Sequence, residues 1–88
     1  MPVQAYVLIQ VEPSSARRVL SELNAVKGVK EAHVVTGEYD VIARIELEGI
    51  SGVLGVVVDQ IHSVSGIKHT STHIVIEGPE PARTTPKG

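Results

Sequence analysis

The chain has 88 residues, a formal net charge of −2, and no Cys, Phe or Trp. This length fits one domain with an aliphatic core, and the absence of Cys excludes disulfides, thiolate catalysis and zinc–thiolate sites. The eight Lys and Arg residues are scattered, so we expect no direct binding of nucleic acid. No apolar run approaches the roughly 18 residues of a membrane span and no signal peptide is recognisable, so we expect a cytoplasmic protein.

The first half of the chain predicts a strand, a helix and a second strand. Residues 3–11 place apolar side chains at every second position, which predicts a strand with one face in the core. A Ser after Pro13 is the predicted N-cap of an amphipathic helix, because apolar residues follow at i, i+3, i+4, i+7 and i+10. Gly28 is the predicted C-terminal glycine of that helix. Residues 29–36 then form the second predicted strand.

The second half begins with a hairpin. A turn at Gly37 joins the second strand to a third at residues 40–48. Residues 50–64 are ambiguous, since three consecutive valines favour a strand whereas the apolar spacing favours a helix. We predict a helix because burial pattern outweighs propensity. A fourth strand is predicted at residues 67–77, which completes a domain over residues 1–77. Residues 78–88 contain three prolines and are predicted to be a flexible tail.

An internal repeat predicts the architecture. A shift of 38 positions superimposes the first strand on the third, the first helix on the second, and Gly28-Val29-Lys30 on Gly66-Ile67-Lys68. Two β-α-β units with right-handed crossovers predict an α+β, ferredoxin-like βαββαβ fold. We expect the first and third strands to lie parallel in the centre, the fourth and second strands at the edges, and both helices on one face.

The other sheet face is predicted to be an interface. It carries both apolar and polar side chains, namely Tyr6, Leu8, Ile42 and Arg44. Because an apolar patch of this kind requires cover, we expect a dimer through the sheet faces, which gives an α/β barrel-type assembly.

The histidines do not predict a metal centre or a catalytic site. His69 and His73 share one face of the fourth strand, whereas His33 lies on the strand at the opposite edge. These residues cannot close a metal site within one subunit, and His62 is expected to interact with the dipole of the second helix. Ser or Thr near His lacks the third group that a nucleophile requires. We therefore predict no metal, no cofactor and no enzyme activity.

Two polar stretches are candidates for ligand binding. The hairpin tip carries Glu38 and Asp40, which are explained either by turn chemistry or by binding of an amino-acid ammonium group. The hydroxyls of Thr70, Ser71 and Thr72 are explained either by β propensity or by a polar pocket that binds a carboxylate. The residues alone leave both alternatives open.

Three motifs resemble a known family. They are Tyr6-Val7-Leu8-Ile9, Gly28-Val29-x-x-Ala32-x-Val34-Val35-Thr36-Gly37-x-Tyr39-Asp40 and Gly66-Ile67-x-x-Thr70-x-Thr72-x-Ile74-Val75. Over residues 3–77 they resemble the effector-binding (RAM) domain of Lrp/AsnC transcriptional regulators. The resemblance implies a βαββαβ domain that forms dimers through its sheets, assembles to higher order, and binds amino-acid effectors between subunits. Family regulators also carry a helix-turn-helix domain, whereas the first strand here begins at residue 3, so we expect a stand-alone effector domain.

The resemblance also implies which positions bind the ligand. They fall in the hairpin and on the fourth strand, and with the neighbouring Glu38 and Ser71 the predicted set is Thr36, Gly37, Glu38, Tyr39, Asp40, Thr70, Ser71 and Thr72. Because the hairpin and the fourth strand belong to opposite edges of the sheet, we expect different subunits to supply them. The leading hypothesis is an amino-acid-sensing and oligomerisation module that regulates transcription indirectly by assembling with full-length regulators. A purely structural assembly module and a small ferredoxin-like enzyme are the alternatives.

Overall fold

The computed structural model describes residues 2–78 as four strands and two helices. The elements are β1 (Pro2–Val11), α1 (Ala16–Asn24), β2 (Val29–Val34), β3 (Val41–Glu48), α2 (Ile50–Val56), a π-turn (Val57–Ile61) and β4 (Ile67–Ile74). The predicted βαββαβ order and ferredoxin-like fold are confirmed. No helix in this part of the chain is long and apolar enough to cross a membrane. The predicted tail, apart from Gly78, lies outside the described residues.

The sheet order is β2-β3-β1-β4, and all three strand pairs are antiparallel. The predicted edge strands, β2 and β4, are confirmed. The prediction that β1 and β3 lie parallel is wrong. The crossover through α1 brings β2 parallel to β1 with space for one strand between them. Because the hairpin reverses the chain into that space, β3 runs antiparallel to both neighbours.

The core lies between the helices and one face of the sheet. Within residues 2–78, every side chain that is less than a tenth exposed is aliphatic, and all of them form one cluster: Ala5, Val7, Ile9, Val11, Val19, Leu23, Ala32, Val41, Ala43, Ile45, Val53, Val57 and Ile61. Both helices contribute to this cluster, which confirms that they cover the same face. Burying one Val, Leu or Ile side chain contributes about 1.5–3 kcal/mol, so the core holds without large aromatic residues.

Both helices end earlier than predicted. α1 ends at Asn24 because Ala25 and Val26 donate to carbonyls three residues back, which tightens the last turn. Ser15 occupies the N-cap position, but its side chain makes no capping bond. The second helix is α-helical only to Val56 and continues as the π-turn, where His62 N donates to Val57 O at 3.0 Å. β2 and β4 also end before the predicted residues 36 and 77.

The internal repeat is visible in the backbone. Gly28 and Gly66 precede β2 and β4 with φ of +100° and +99°. The carbonyl of each accepts a hydrogen bond from the neighbouring segment, at 2.9 and 2.7 Å. Lys30 and Lys68 then occupy matching irregularities, where one extra residue shifts the strand register. The two β-α-β halves are therefore related in local geometry as well as in sequence.

Candidate functional site

The hairpin tip is anchored on the end of β1. Asp40 N donates to Ile9 O at 2.8 Å, and the Asp40 carboxylate accepts from Val11 N at 2.9 Å through Oδ2. Gln10 Nε2 donates to Glu38 O at 3.0 Å. These bonds join residues about thirty positions apart, so they hold the hairpin over β1 rather than only forming its turn.

Asp40 therefore has a structural partner. Its Oδ2 satisfies a backbone N–H, while Oδ1 makes no hydrogen bond within residues 2–78. The backbone O of Asp40 accepts from Val35 N at 2.8 Å, which closes the hairpin. Thr36, Gly37 and Glu38 are exposed, so the tip between these anchors presents polar groups to the surroundings.

The three hydroxyl residues of β4 do not share one face. Thr70 pairs with Ile9 of β1, and Thr72 likewise pairs with a buried β1 residue, so both point towards the helices. Ser71 pairs with Leu8 and points to the opposite face, which we call the open face. Only Thr70 and Thr72 among them can therefore contribute to one pocket on the helix side.

One chain brings the hairpin and the start of β4 to the same end of the sheet. Val41 pairs with Ile9 on one side, and Thr70 pairs with Ile9 on the other. Since neighbouring strands lie about 4.8 Å apart, Val41 and Thr70 are roughly 10 Å apart across β1. A single subunit therefore places both groups beside the end of β1, and the expectation that different subunits supply them to one ligand stays a prediction.

A polar contact at the end of the π-turn was not predicted. His62 Nε2 and Thr70 Oγ1 are hydrogen-bonded at 2.9 Å. They border a depression of about 390 Å³ that is lined by His62, Ile67, Lys68, His69 and Thr70. His62 was expected to interact only with the helix dipole. No pattern in the sequence indicated this contact, because the bulge at Lys68 is what turns Thr70 towards the helices.

The described part of the chain contains two hydroxyl–imidazole pairs, but neither resembles a catalytic triad. Ser71 Oγ and His73 Nε2 lie 2.9 Å apart on the open face, and the other pair is His62 with Thr70. Within residues 2–78 neither imidazole has a carboxylate on its second ring nitrogen, so a nucleophile would lack the group that orients its base. In the same part of the chain no three His, Asp or Glu side chains converge as metal ligands.

The open face combines an apolar centre with a charged border. Tyr6 is 42% exposed. Arg44 Nε donates to Glu31 Oε2 at 2.8 Å, and His33 Nε2 lies 3.1 Å from the other oxygen of Glu31. The Arg44 guanidinium, and after it the His33 hydrogen bond, hold the pKa of the Glu31 carboxyl below its ordinary value. The border of the face therefore carries fixed charges of both signs.

Comparison with known proteins identifies the family. The model of the Lrp/AsnC ligand-binding domain matches residues 4–85. The chain belongs to the Lrp/AsnC family.

Among curated relatives of this Lrp/AsnC chain, an uncharacterised HTH-type transcriptional regulator of Pyrococcus abyssi is 27% identical over 73 residues, which cover 80% of this chain and 49% of the regulator. The chain thus spans about half the length of that relative. A homocitrate synthase of Saccharolobus islandicus is 28% identical over 79 residues, which cover 86% of this chain and 17% of the synthase.

Solved structures place the same Lrp/AsnC fold both in short chains and within longer ones. The protein FFRP-DM1 is 35% identical with a TM-score of 0.80, and the match covers 84% of this chain and 99% of that one. AsnC of E. coli is 25% identical with a TM-score of 0.83, and the match covers 94% of this chain and 56% of AsnC. The ferredoxin-like sheet and its two helices are therefore shared with a regulator of this family.

Proposed function

We propose that this Lrp/AsnC domain binds a free amino acid and couples binding to its own assembly, without catalysing a reaction. The observation that carries the proposal is the match of the Lrp/AsnC ligand-binding domain over residues 4–85. The geometry supports it, because one end of the sheet combines the exposed hairpin tip with the hydroxyls on the helix side of β4.

The chemistry at this end of the sheet suits an amino acid. The Glu38 carboxylate and the second oxygen of Asp40 can accept from an ammonium group, while the hydroxyls of Thr70 and Thr72 can donate to a carboxylate. Hydrogen bonds in which one partner is ionised are roughly twice as strong as neutral ones. We propose that the hairpin residues 36–40, together with Thr70 and Thr72, surround the effector once a second subunit completes the pocket, and that Ser71, which points to the open face, lies outside it.

The open face is the proposed dimer interface. Its apolar residues Tyr6, Leu8 and Ile42 lie side by side on β1 and β3, and Arg44 beside them is paired with Glu31. Val75 and Ile76 follow β4 and are 37% and 94% exposed, which extends the apolar area. We propose that a second copy covers this face and that dimers assemble further.

An effector can act only through different affinity for two states. We propose that the amino acid binds one assembly state more tightly and thereby shifts the population of assemblies. Transcription would then be affected indirectly, when this chain assembles with full-length Lrp/AsnC regulators. No direct contact with nucleic acid is part of this proposal.

Calorimetric titration of the native protein with each of the twenty amino acids tests effector binding. At least one is expected to bind, and a ligand at a hundred times its Kd should add about 2.7 kcal/mol to the stability. Thr70→Val keeps the shape of the side chain but removes the hydroxyl, so it should weaken binding. Ser51→Ala, on the exposed side of α2, is the matched control and should bind as the native protein does. If none of the twenty binds or stabilises the protein, sensing is refuted.

Assembly is tested separately. Leu8→Glu places a charge in the centre of the open face and should lower the native mass measured by light scattering after gel filtration. Leu54, which is 47% exposed on α2, supplies the control: Leu54→Glu introduces the same charge and should leave the mass unchanged. An unchanged mass for Leu8→Glu would contradict assembly through this face.

One observation favours the purely structural alternative. The bond from Val11 N to the Asp40 carboxylate explains that carboxylate without any ligand. If the domain only builds assemblies, weakening the hairpin anchors should change the oligomer size, and no amino acid should alter it. The titration and the mass measurement together distinguish the two functions.

A further inference from the structure

We propose that the depression between the π-turn and the start of β4 recognises a side-chain carboxylate, so that the effector is an acidic amino acid, with His62 and Lys68 as the residues that determine specificity. This inference rests on the proposed function, because it names the class of effector for the same end of the sheet. The hydroxyl of Thr70 belongs to the general amino-acid site.

Two irregularities in successive elements build this depression. The π-turn widens the end of the second helix, because His62 N donates to Val57 O, five positions back. His62 comes directly after the buried residue Ile61. The extra residue at Lys68 shifts the register of β4, so that Thr70 faces the helices. Together the two irregularities place His62 Nε2 within 2.9 Å of Thr70 Oγ1. Both π-turns and β-bulges are common next to functional sites.

The first half of the repeat shows that the fold does not require this polar pair. The residue equivalent to His62 is Asn24, whose side chain donates to Leu20 O of its own helix at 3.2 Å. The residue equivalent to Thr70 is Ala32, a buried core residue. α1 has no π-turn, although the matching bulge at Lys30 is present. The polar contact is therefore confined to the second half, which a purely structural requirement of the fold does not explain.

The charge of the lining points to an anion. His62, Lys68 and His69 supply nitrogen donors, Thr70 supplies a hydroxyl, and none of the lining residues is a carboxylate. Lys68 makes no ion pair within residues 2–78, and its ammonium therefore has no protein counter-ion there. An ammonium paired with a ligand carboxylate forms a charge-assisted bond, and an imidazole that also donates strengthens the preference.

The hairpin supplies the acceptor for the ammonium group of the ligand. A neutral amino acid brings one carboxylate and one ammonium, and the exposed Glu38 at the same end of the sheet provides an acceptor for the ammonium. The Lys68 ammonium then favours a second carboxylate over an amide, because an ammonium and a carboxylate form a bond between two charged groups, whereas the amide oxygen is neutral. Aspartate and glutamate meet this requirement, and asparagine and glutamine are their neutral isosteres.

The test is a calorimetric comparison of aspartate with asparagine, and of glutamate with glutamine, on the full chain. On the native protein we expect one acid to bind at least about tenfold more tightly than its amide. Lys68→Gln and His62→Gln should each reduce this ratio, and together they should bring it close to one. Lys30→Gln is the matched control, because Lys30 is the equivalent bulge residue of the other half. It should keep the native ratio.

The outcomes separate this inference from the proposed function. Binding of a neutral amino acid as tightly as an acidic one would refute the inference and leave sensing intact. An unchanged ratio in the folded double variant would also refute it. If no amino acid binds at all, the inference and the proposed sensing function are both refuted. The ratio on the native protein is decisive even where a variant fails to fold.

Discussion

The carboxylate of Asp40 offers the sharpest test of how the hairpin is held. In Asp40→Ala, Val11 N–H loses its acceptor at 2.9 Å, while the two backbone bonds of residue 40 can remain. A hydrogen bond to a charged group contributes about 1.5–3 kcal/mol to stability. Because Asp40 is only half-buried, water can partly replace it, and we expect a loss of about 1–2 kcal/mol. For a domain of this size that corresponds to a fall in Tm of about 5–15 °C.

Thermal unfolding followed by circular dichroism measures this loss, at one fixed protein concentration because assembly adds to apparent stability. Asp40→Asn keeps a neutral acceptor in the same place and should lose less than about 1 kcal/mol. Glu38→Ala is the control, since the bond from Gln10 uses the backbone oxygen of Glu38 rather than its side chain. A Tm of Asp40→Ala equal to that of the native protein would refute the anchoring role.

Two further predictions concern the backbone and the open face. Gly28→Ala and Gly37→Ala both force Ala to positive φ, but a Cβ at residue 28 would lie 3.0 Å from the Leu47 side chain, whereas one at residue 37 would meet nothing within 4 Å. In urea unfolding Gly28→Ala should therefore lose about 1 kcal/mol more than Gly37→Ala, and equal losses would contradict the close contact. Arg44 lowers the pKa of Glu31, so this contribution to stability is present above about pH 4.5 and is lost as the pH falls through the lower folded value. Between about pH 5 and about pH 3 the native protein should consequently lose more stability than Glu31→Gln, and parallel pH profiles would be evidence against the ion pair.

Much of the fold was predictable because it depends on local periodicity and on the repeat. The alternation in β1 and β3 is clear, and the 38-residue shift assigned residues 50–64 to a helix despite three consecutive valines. Strand direction was not predictable in this way, because a period of two carries no information about direction. The direction follows instead from the α1 crossover and the hairpin, which the sequence does predict and which together make β3 antiparallel to β1, so the predicted parallel pair was inconsistent with those two elements.

The site was predictable in its residues but not in its arrangement. Gly37 and Asp40 are recognisable as turn residues, yet the bond from Asp40 to Val11 depends on a contact across twenty-nine positions. If the side chains of β4 alternated regularly from Ile67, Thr70 would point to the open face instead of towards the helices. The extra residue at the bulge reverses that assignment, and without it the contact with His62 could not be anticipated.

We propose that an amino acid changes the assembly of this Lrp/AsnC domain. Sedimentation velocity of the native protein, alone and with each of the twenty amino acids at millimolar concentration, tests it most directly. We expect at least one amino acid to shift the distribution of sedimentation coefficients, and Thr70→Val to suppress that shift. Identical distributions with and without all twenty would contradict the claim.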